Sequence, residues 1–325
     1  MRPQEKILTI RGTTFRLKVE SSNASADYRK YEDLRDDIWG FPEDHMAGAR
    51  NLMCENFLHE GGSLFIGAYV DSPAGEPRDD RDRMAGFSYG FAGVKDKSIC
   101  YQALDNLWFY SQYTAVKPAY RGYGLGIAIK EFQREIVSRV LGIKTIVCTY
   151  DPLTGVNARR NVHHFGMTVL EYRAATYGEY GGRLNRSDVP TDRFFMSWDL
   201  SAVGPRAGLS SEEVFAAGKN VIEVATKGIA GRSGPGEFEV AAGFRKDSKG
   251  KILLVRIPPD FYAMLRETDV DDPDVRAIPV QWRMATREAF QTLFAAGYRV
   301  VDFLGSVGPP RVPSYVLSSG PHAIL

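Results

Sequence analysis

The chain has 325 residues, of which 44% are hydrophobic and 25% charged, a composition typical of a folded globular protein and not of a disordered one. Its 41 lysine and arginine residues nearly balance 40 aspartate and glutamate residues, so a formal charge of +1 gives no general field that would attract nucleic acid or an anionic membrane. Three widely spaced cysteines argue against a disulfide framework and a zinc site, and no apolar run approaches the ~20 residues of a membrane-spanning helix. We therefore expect a cytoplasmic protein that binds no metal, no nucleic acid and no membrane.

The first part of the chain mixes strand and helix patterns. Alternating apolar residues follow a turn at Gly12, whereas Tyr28, Tyr31 and Leu34 recur at helical spacing. The predicted elements, in chain order, are strand 7–20, helices 26–39 and 44–59, strands 63–70, 84–91 and 107–116, helix 126–140, strand 144–150, helix 157–165, and strands 167–173 and 193–200.

The composition changes after residue 200. Residues 201–211 and 228–236 are rich in Gly, Ser and Ala, and we predict that they are linkers. The elements predicted beyond them are strand 251–257, amphipathic helix 281–296, and strands 300–304 and 315–317. The sequence thus predicts one domain over residues 1–200 and a smaller α+β accessory region over residues 201–325.

The most informative segment runs from Val116 to Gly126 and reads VKPAYRGYGLG, between a predicted strand and a predicted helix. Its glycines allow a tight turn that points several N–H groups outward, and the next helix adds the positive end of its dipole. Arg121 can donate charge-assisted hydrogen bonds to the same anion. This combination predicts a pyrophosphate site.

Three other interpretations of the glycines remain. A dinucleotide fingerprint would need glycine where Ile127 stands, although Asp151 follows the next strand, where a ribose-binding acid would be expected. A P-loop would need a Gly-Lys-Ser/Thr sequence, which is absent. A glycine-rich turn without a ligand is the third interpretation.

The spacing Arg121-x-x-Gly124-x-Gly126 after a strand end resembles the acyl-CoA signature of the GNAT superfamily of N-acyltransferases. The resemblance implies an α/β (α+β) protein with a mixed, mostly antiparallel sheet and helices on both faces. It also implies a CoA arm between strands that diverge near Val116 and Tyr150. Asn157 is similar in position to a family residue that contacts this arm, although a helix N-cap would also suit it. The residues implied for CoA binding are Val116, Arg121, Gly122, Tyr123, Gly124, Leu125, Gly126, Asn157 and Asn161.

The catalytic residues depart from the family pattern. The tyrosine that many GNAT enzymes use as general acid is missing from the stretch 162–165. The candidates to replace it are His163, His164, Tyr172 and Tyr177, of which we select Tyr177. Asp151 is the first candidate for the base that deprotonates the amine and Glu179 the second. Asp151 could instead cap the turn made by Asp151-Pro152. Cys148, inside an apolar strand, is expected to be a buried packing residue.

Motifs over most of the chain are also similar to a GNAT subgroup that is implied to include amino-acid N-succinyltransferases. A carboxylate on either substrate would need a cation, and the available arginines are Arg173, Arg183, Arg193 and Arg283. The expected activity is transfer of an acetyl or succinyl group from acyl-CoA to a small-molecule amine, with an amino acid as one option, by direct attack in a ternary complex. The alternative is an inactive acyl-CoA sensor or scaffold. A homodimer is one expected assembly.

Overall fold

The structure is a computed structural model that describes residues 4–22, 24–40, 63–71, 81–178, 181–201, 214, 218–305 and 312–320. The predicted helix 44–59 lies outside the described residues. The chain divides into two compact units, Met1–Cys148 with Asp199–Ala202 and Thr149–Trp198 with Val203–Leu325. This division differs from the predicted boundary at residue 200, so the assignment of domains to residues 1–200 and 201–325 stays a prediction.

The sheet of the first unit is mostly antiparallel. Its strands are β1 (Glu5–Ile10), β2 (Thr13–Val19), β3 (Ser63–Val70), β4 (Met84–Val94), β5 (Leu107–Val116) and β6 (Thr145–Tyr150), whose last two residues belong to the second unit. They neighbour one another in chain order, and only β5 and β6 run parallel. The predicted mixed, mostly antiparallel sheet is confirmed.

Among the residues of this unit that the structure describes, two helices flank the sheet, α1 (Ser25–Trp39) and α2 (Leu125–Arg139). The Tyr31 ring of α1 lies 5.8 Å from the Phe87 ring, whereas Ile129 Cδ1 of α2 lies 3.1 Å from the place that a Cβ would occupy at Gly86. Because neighbouring strand residues point to opposite sides of a sheet, the two helices cover opposite faces. The prediction of helices on both faces is confirmed for this unit.

The parallel strands β5 and β6 pair over a short stretch. Their pairing covers only Phe109 with Ile146 and Tyr110 with Val147. Six more residues of β5, up to Val116, continue without a partner in β6. The pairing therefore ends at Val147, three residues before β6 ends at Tyr150, and the divergence that the sequence resemblance implied stays a prediction. Cys148 of β6 is 6% exposed, which agrees with its predicted packing role.

The second unit contains more strands than the sequence predicted. They are β7 (Thr168–Arg173), β8 (Arg193–Asp199), β9 (Lys219–Asn220), β10 (Ile222–Gly231), β11 (Gly234–Phe244), β12 (Ile252–Arg256), β13 (Arg299–Leu304) and β14 (Ser314–Ser318). β7 pairs with β8 and β10 with β11, in both cases antiparallel, and a four-stranded sheet has the order β13-β14-β12-β9.

The helices of this unit are α3 (Gly155–Ala158), which continues as a π-helical turn (Arg159–His164), α4 (Phe261–Glu267), α5 (Pro273–Arg276) and α6 (Ile278–Ala295). α6 buries Trp282 and Phe290. Phe290 packs against the rings of Phe194 and Tyr315, with centroids 4.8 and 5.3 Å away, and this aromatic cluster forms the centre of the core.

Three sequence predictions need correction. The predicted linker 228–236 is part of the β10–β11 hairpin. β1 was missed, although the turn at Gly12 is present, with positive φ at Arg11 and Gly12. The short helices α4 and α5 were also missed, although the side chains of Asp260 and Asp272 cap their first turns. Within the described residues, no helix is long and apolar enough to cross a membrane.

Candidate active site

The glycine loop joins the end of β5 to the start of α2. Gly122 and Gly124 have φ angles of +78° and +88°, which side chains with a Cβ rarely adopt. A Cβ built at either glycine would have no atom within 4 Å, so open space lies above both. Gly124 is the N-cap of α2 and, having no side chain, supplies no capping hydrogen bond.

A run of backbone N–H groups in this loop is available to a ligand. The N–H of Arg121 donates to the Pro118 carbonyl, and those of Ile127 and Ala128 donate to the Gly124 carbonyl. Between them, the N–H groups of residues 122–126 find no acceptor in the part of the chain that the structure describes. Five consecutive free N–H groups at a helix N-terminus form a site suited to an anion.

Arg121 and Tyr123 flank these N–H groups. Arg121 Nε donates to the Val116 carbonyl at 3.1 Å, which fixes the guanidinium beside the loop. The guanidinium carbon of Arg11 lies 5.7 Å from the centre of the Tyr123 ring. Two arginines therefore lie around the loop, and they add positive charge to a site that the helix dipole already favours for anions.

The backbone N–H of Val116 is not used in the pairing of β5 with β4. The N–H of Lys117 donates to the Ala85 carbonyl of β4 at 2.8 Å. Because the N–H groups of successive strand residues point in opposite directions, the N–H of Val116 points away from β4. β5 has no partner in β6 at this position. This N–H therefore points to the side of β5 on which β6 pairs with Phe109 and Tyr110, and it is not used in the pairing with β4.

The second unit carries Asn157 and Asn161 on α3 and its π-helical extension. Arg160 donates to both amide oxygens, from Nη2 to Asn157 at 2.9 Å and from Nε to Asn161 at 3.2 Å. Asn157 also donates to Thr154 Oγ1. Asn157 is therefore inside the helix and is not its N-cap, which is Thr154. The pattern did not identify Arg160, because its role depends on the π-helical turn.

Asp151 is buried in an ion pair within the second unit. Arg283 donates to it twice, from Nη1 at 2.8 Å and from Nη2 at 2.5 Å, and Arg283 is 1% exposed. Asp151 Oδ1 also accepts the N–H of Leu153 at 2.9 Å, which is the turn-capping role that the sequence allowed. Burial lowers the pKa of Arg283, but the charge of Asp151 outweighs burial and raises that pKa above its ordinary value. Arg283 is therefore charged.

Arg193 connects Asp151 to Tyr177. Its Nη1 lies 3.6 Å from Asp151 Oδ2, and its guanidinium carbon lies 5.1 Å from the centre of the Tyr177 ring. The Tyr177 hydroxyl is 2.8 Å from Thr149 Oγ1 near the end of β6, and the residue is 47% exposed. The two predicted catalytic residues are thus brought together in one unit, with the phenol accessible and the carboxylate buried.

The remaining acid and base candidates are held differently. Tyr172 is buried and donates to Asp192 Oδ2 at 2.5 Å; burial and the neighbouring carboxylate raise the pKa of its phenol. His163 Nδ1 lies 2.9 Å from Asp302 Oδ1, and His164 is exposed with its ring against Phe165. Glu179 lies outside the described residues. Tyr172 is therefore unsuited to release a proton to a substrate.

The predicted carboxylate-binding arginines already have partners in the structure. Arg283 is committed to Asp151, and Arg173 pairs with Glu171 at 2.7 Å while it stacks on the Phe195 ring. Arg193 also donates to the Asp192 carbonyl at 2.8 Å. These contacts favour structural roles for Arg173 and Arg283.

Asp192 is a second buried carboxylate, and we predict that it contributes to acid sensitivity. Although burial acts to raise its pKa, hydrogen bonds from Arg287 and Tyr172 lower that pKa below its ordinary value. A lowered pKa adds stability above the unfolded value of about 4, and this stability is lost as the pH falls through the folded value. Asp192→Asn should therefore lose about 1–3 kcal/mol of unfolding free energy at pH 7.

Urea unfolding of the wild type and Asp192→Asn at pH 7 and pH 3 measures this effect. The difference between the two proteins should shrink at pH 3, because below about pH 4 the Asp192 carboxyl of the unfolded wild type takes up a proton and part of the stability that the lowered pKa gives is lost. An equal difference at both pH values would show that the charge of Asp192 contributes no stability.

Solved structures similar to this chain include acetyltransferases from three organisms. An acetyltransferase of the GNAT family from Streptococcus pneumoniae has 11% identity and a TM-score of 0.40, over 56% of this chain and 97% of that one. A ribosomal-protein alanine N-acetyltransferase from Escherichia coli has 16% identity and a TM-score of 0.38, over 58% and 96%. NAA60 from Arabidopsis thaliana, in complex with acetyl-CoA, has 11% identity and a TM-score of 0.42, over 57% and 99%.

No protein-family model and no curated protein matches the chain. Identities of 11–16% do not carry residue roles from one chain to another, so roles here depend on this chain's own contacts.

Proposed function

We propose that the chain is an acyl-CoA-dependent N-acyltransferase that transfers an acetyl or succinyl group to the amine of a small molecule. The observation that carries the proposal is the run of five N–H groups, residues 122–126, at the N-terminus of α2, for which no described residue provides an acceptor. This run begins six residues after Val116, where β5 has no partner in β6. A pyrophosphate on the loop and an acyl arm between the strands would use both features.

In this proposal, the loop N–H groups and Arg121 hold the CoA pyrophosphate. Each contact is a hydrogen bond to a charged oxygen, the strongest kind that a neutral N–H group makes. Asn157 and Asn161, fixed by Arg160, would bind the amide groups of the pantetheine arm. Gly122 and Gly124 have no Cβ, and the open space above them leaves room for the phosphates.

The proposed reaction is direct attack of the amine on the thioester carbonyl. A carbon–nitrogen bond forms, the carbonyl oxygen becomes an oxyanion, and the N–H of Val116 is directed where it could stabilise that charge. Collapse of the intermediate breaks the carbon–sulfur bond, and the CoA thiolate accepts a proton from Tyr177. The attacking nitrogen releases its proton to solvent, and the Tyr177 phenolate takes a proton back from solvent. No covalent enzyme intermediate is required.

Asp151 enters this proposal as a positioning residue. A carboxylate that accepts two hydrogen bonds from a buried guanidinium would have to give up that ion pair to take a proton. Tyr177 has no such obstacle, because its hydroxyl is exposed and bonded to a neutral threonine. The contact of Arg193 with both residues links the ion pair to the position of the phenol.

Tyr177→Phe should lower kcat about 100-fold and leave the KM for acyl-CoA within about threefold, because loss of a general acid affects proton transfer and not CoA binding. The matched control is Tyr101→Phe, which removes a hydroxyl from a tyrosine that is 71% exposed in the first unit. Steady-state thiol release measures both variants. A kcat within twofold of wild type in Tyr177→Phe would exclude the acid role.

The function itself is tested by thiol release from acetyl-CoA and succinyl-CoA with a panel of amino acids and small amines. Release that depends on an amine, with the N-acyl product seen by mass spectrometry, would support the enzyme. Tight acyl-CoA binding without turnover for any amine would favour the sensor.

A further inference from the structure

The β10–β11 hairpin of the second unit forms a two-stranded sheet of its own, with an exposed outer strand. In β10, the residues from Ala225 to Gly228 and Ala230 are exposed, and a Cβ built at Gly228 would meet nothing within 4 Å. An isolated two-stranded sheet is marginally stable in water. This strand is therefore a site at which the sheet could be extended.

The register of the hairpin shows which backbone groups of β10 point outward. Ala230 pairs with Pro235, which has no N–H to donate. Thr226 pairs with Glu239, whose carbonyl accepts a hydrogen bond from Trp282 on the other side of β11. Both pairs are therefore of the non-hydrogen-bonded kind. Because hydrogen-bonded and non-bonded pairs alternate, the N–H and C=O groups of Val224, Thr226 and Gly228 also point away from β11.

No partner for this edge occurs among residues 4–22, 24–40, 63–71, 81–178, 181–201, 214, 218–305 and 312–320. No hydrogen bond from a described residue reaches the outward groups of β10 between Val224 and Ala230. The opposite edge, on β11, is interrupted by Pro235 and packs near α6, where Trp282 Nε1 donates to the Glu239 carbonyl at 2.9 Å. The edge of β10 is the open one, and open edges pair with other strands.

We propose that the edge of β10 pairs with the same strand of a second copy of this chain, which gives a continuous four-stranded sheet across a two-fold axis. A two-fold interface needs a surface that complements itself. With the axis at Ala225, antiparallel pairing places Glu223 of each copy opposite Lys227 of the other, in pairs with Cα atoms about 4.5 Å apart. Glu223 and Lys227 are the two charged residues of β10.

Other registers lack this charge complementarity. An axis at Lys227 would place the two lysines opposite each other, which is unfavourable. An axis at Thr226 would place Lys227 opposite Ala225 and Glu223 opposite Ile229. Glu223 also accepts a hydrogen bond from Arg245 Nε at 2.8 Å, and a carboxylate has room for both partners. The interface is independent of the proposed acyl transfer.

Sedimentation equilibrium of the full chain tests the interface. Wild type should be a dimer at micromolar concentration, and Lys227→Glu or Glu223→Lys should each raise the dimer dissociation constant about tenfold or more, since two symmetry-related pairs become repulsive. The double variant E223K/K227E should restore the dimer. The matched control is Lys97→Glu, which makes the same charge change at an exposed residue of the first unit.

A second pair of variants tests the backbone contact. Thr226→Pro removes an outward N–H without removing a bond to β11, and should give a monomer with wild-type circular dichroism. Thr226→Val keeps the N–H and should remain a dimer. A monomeric wild type would overturn the proposal, as would a dimer that tolerates both Thr226→Pro and the single charge reversals. If a single charge reversal weakens the dimer and the double variant E223K/K227E does not restore it, the proposed register is wrong.

Discussion

Gly124→Leu should raise the dissociation constant for CoA about 1,000-fold or more. A Cβ at this position would enter the open space above the loop, where the pyrophosphate is proposed to bind. The φ of +88° would also shift, because leucine disfavours the left-handed region, and the neighbouring N–H groups would turn with it. Loss of two hydrogen bonds to charged oxygens accounts for about 4 kcal/mol, which corresponds to this factor. Isothermal titration calorimetry measures the constant.

The matched control for this prediction is Gly142→Leu. Gly142 also has a positive φ, +67°, and open space at its Cβ, but it follows the end of α2 instead of preceding its start. Both substitutions should therefore cost a similar ~1–2 kcal/mol of stability from backbone strain. Only Gly124→Leu should raise the dissociation constant for CoA. A folded Gly124→Leu protein with unchanged CoA affinity would show that the loop is not part of the CoA site.

Arg283→Met should lower the free energy of unfolding by about 3–5 kcal/mol, because it leaves the buried charge of Asp151 without its strongest partner. Methionine fills a comparable volume, so the loss should come mainly from the charge and not from a cavity. The double variant D151N/R283M removes both charges and should recover most of the lost stability. Urea unfolding of the wild type, the two single variants and the double variant gives the coupling energy between the side chains.

The same variants separate the two roles considered for Asp151. If Asp151 is a positioning residue, Asp151→Asn should lower both the free energy of unfolding and kcat. The double variant D151N/R283M should then restore both. If Asp151 is the general base, kcat should fall in both Asp151→Asn and D151N/R283M, whatever the stability of each variant. An Arg283→Met protein within about 0.5 kcal/mol of wild type would show that the ion pair is not the structural element inferred here.

The sequence predicted the parts of the fold and site that depend on local patterns. The loop from Arg121 to Gly126 could be recognised because Gly122 and Gly124 mark positive φ angles within a few residues of each other. Strands β3 and β5 were predicted with their observed bounds, since their apolar residues run between clear breaks. The divergence of β5 and β6 was expected from the family resemblance, and not from the residues of either strand, and it stays a prediction.

The partners of the catalytic candidates could not be predicted, because they come from distant parts of the chain. Asp151 and Arg283 are 132 residues apart, and Asp192 and Arg287 are 95 apart. Arginine was expected to bind a substrate carboxylate, yet the fold uses Arg283 to neutralise a buried acid.

The β10–β11 hairpin was missed for a different reason. Gly228, Gly231, Gly234 and Gly236 give the segment the composition of a linker and hide the alternation of a strand. Glycine at 234 has a φ of +114° next to the two-residue turn of the hairpin, so this glycine serves the turn. The remaining glycines lie in strands, where composition alone predicts poorly.

The most direct test of the central claim is a calorimetric titration of the wild-type chain with CoA, run in parallel with NAD. If residues 121–126 hold a CoA pyrophosphate, CoA should bind with one site per chain and NAD should give no heat of binding. Binding of NAD alone, or no CoA binding by a folded protein, would contradict the account.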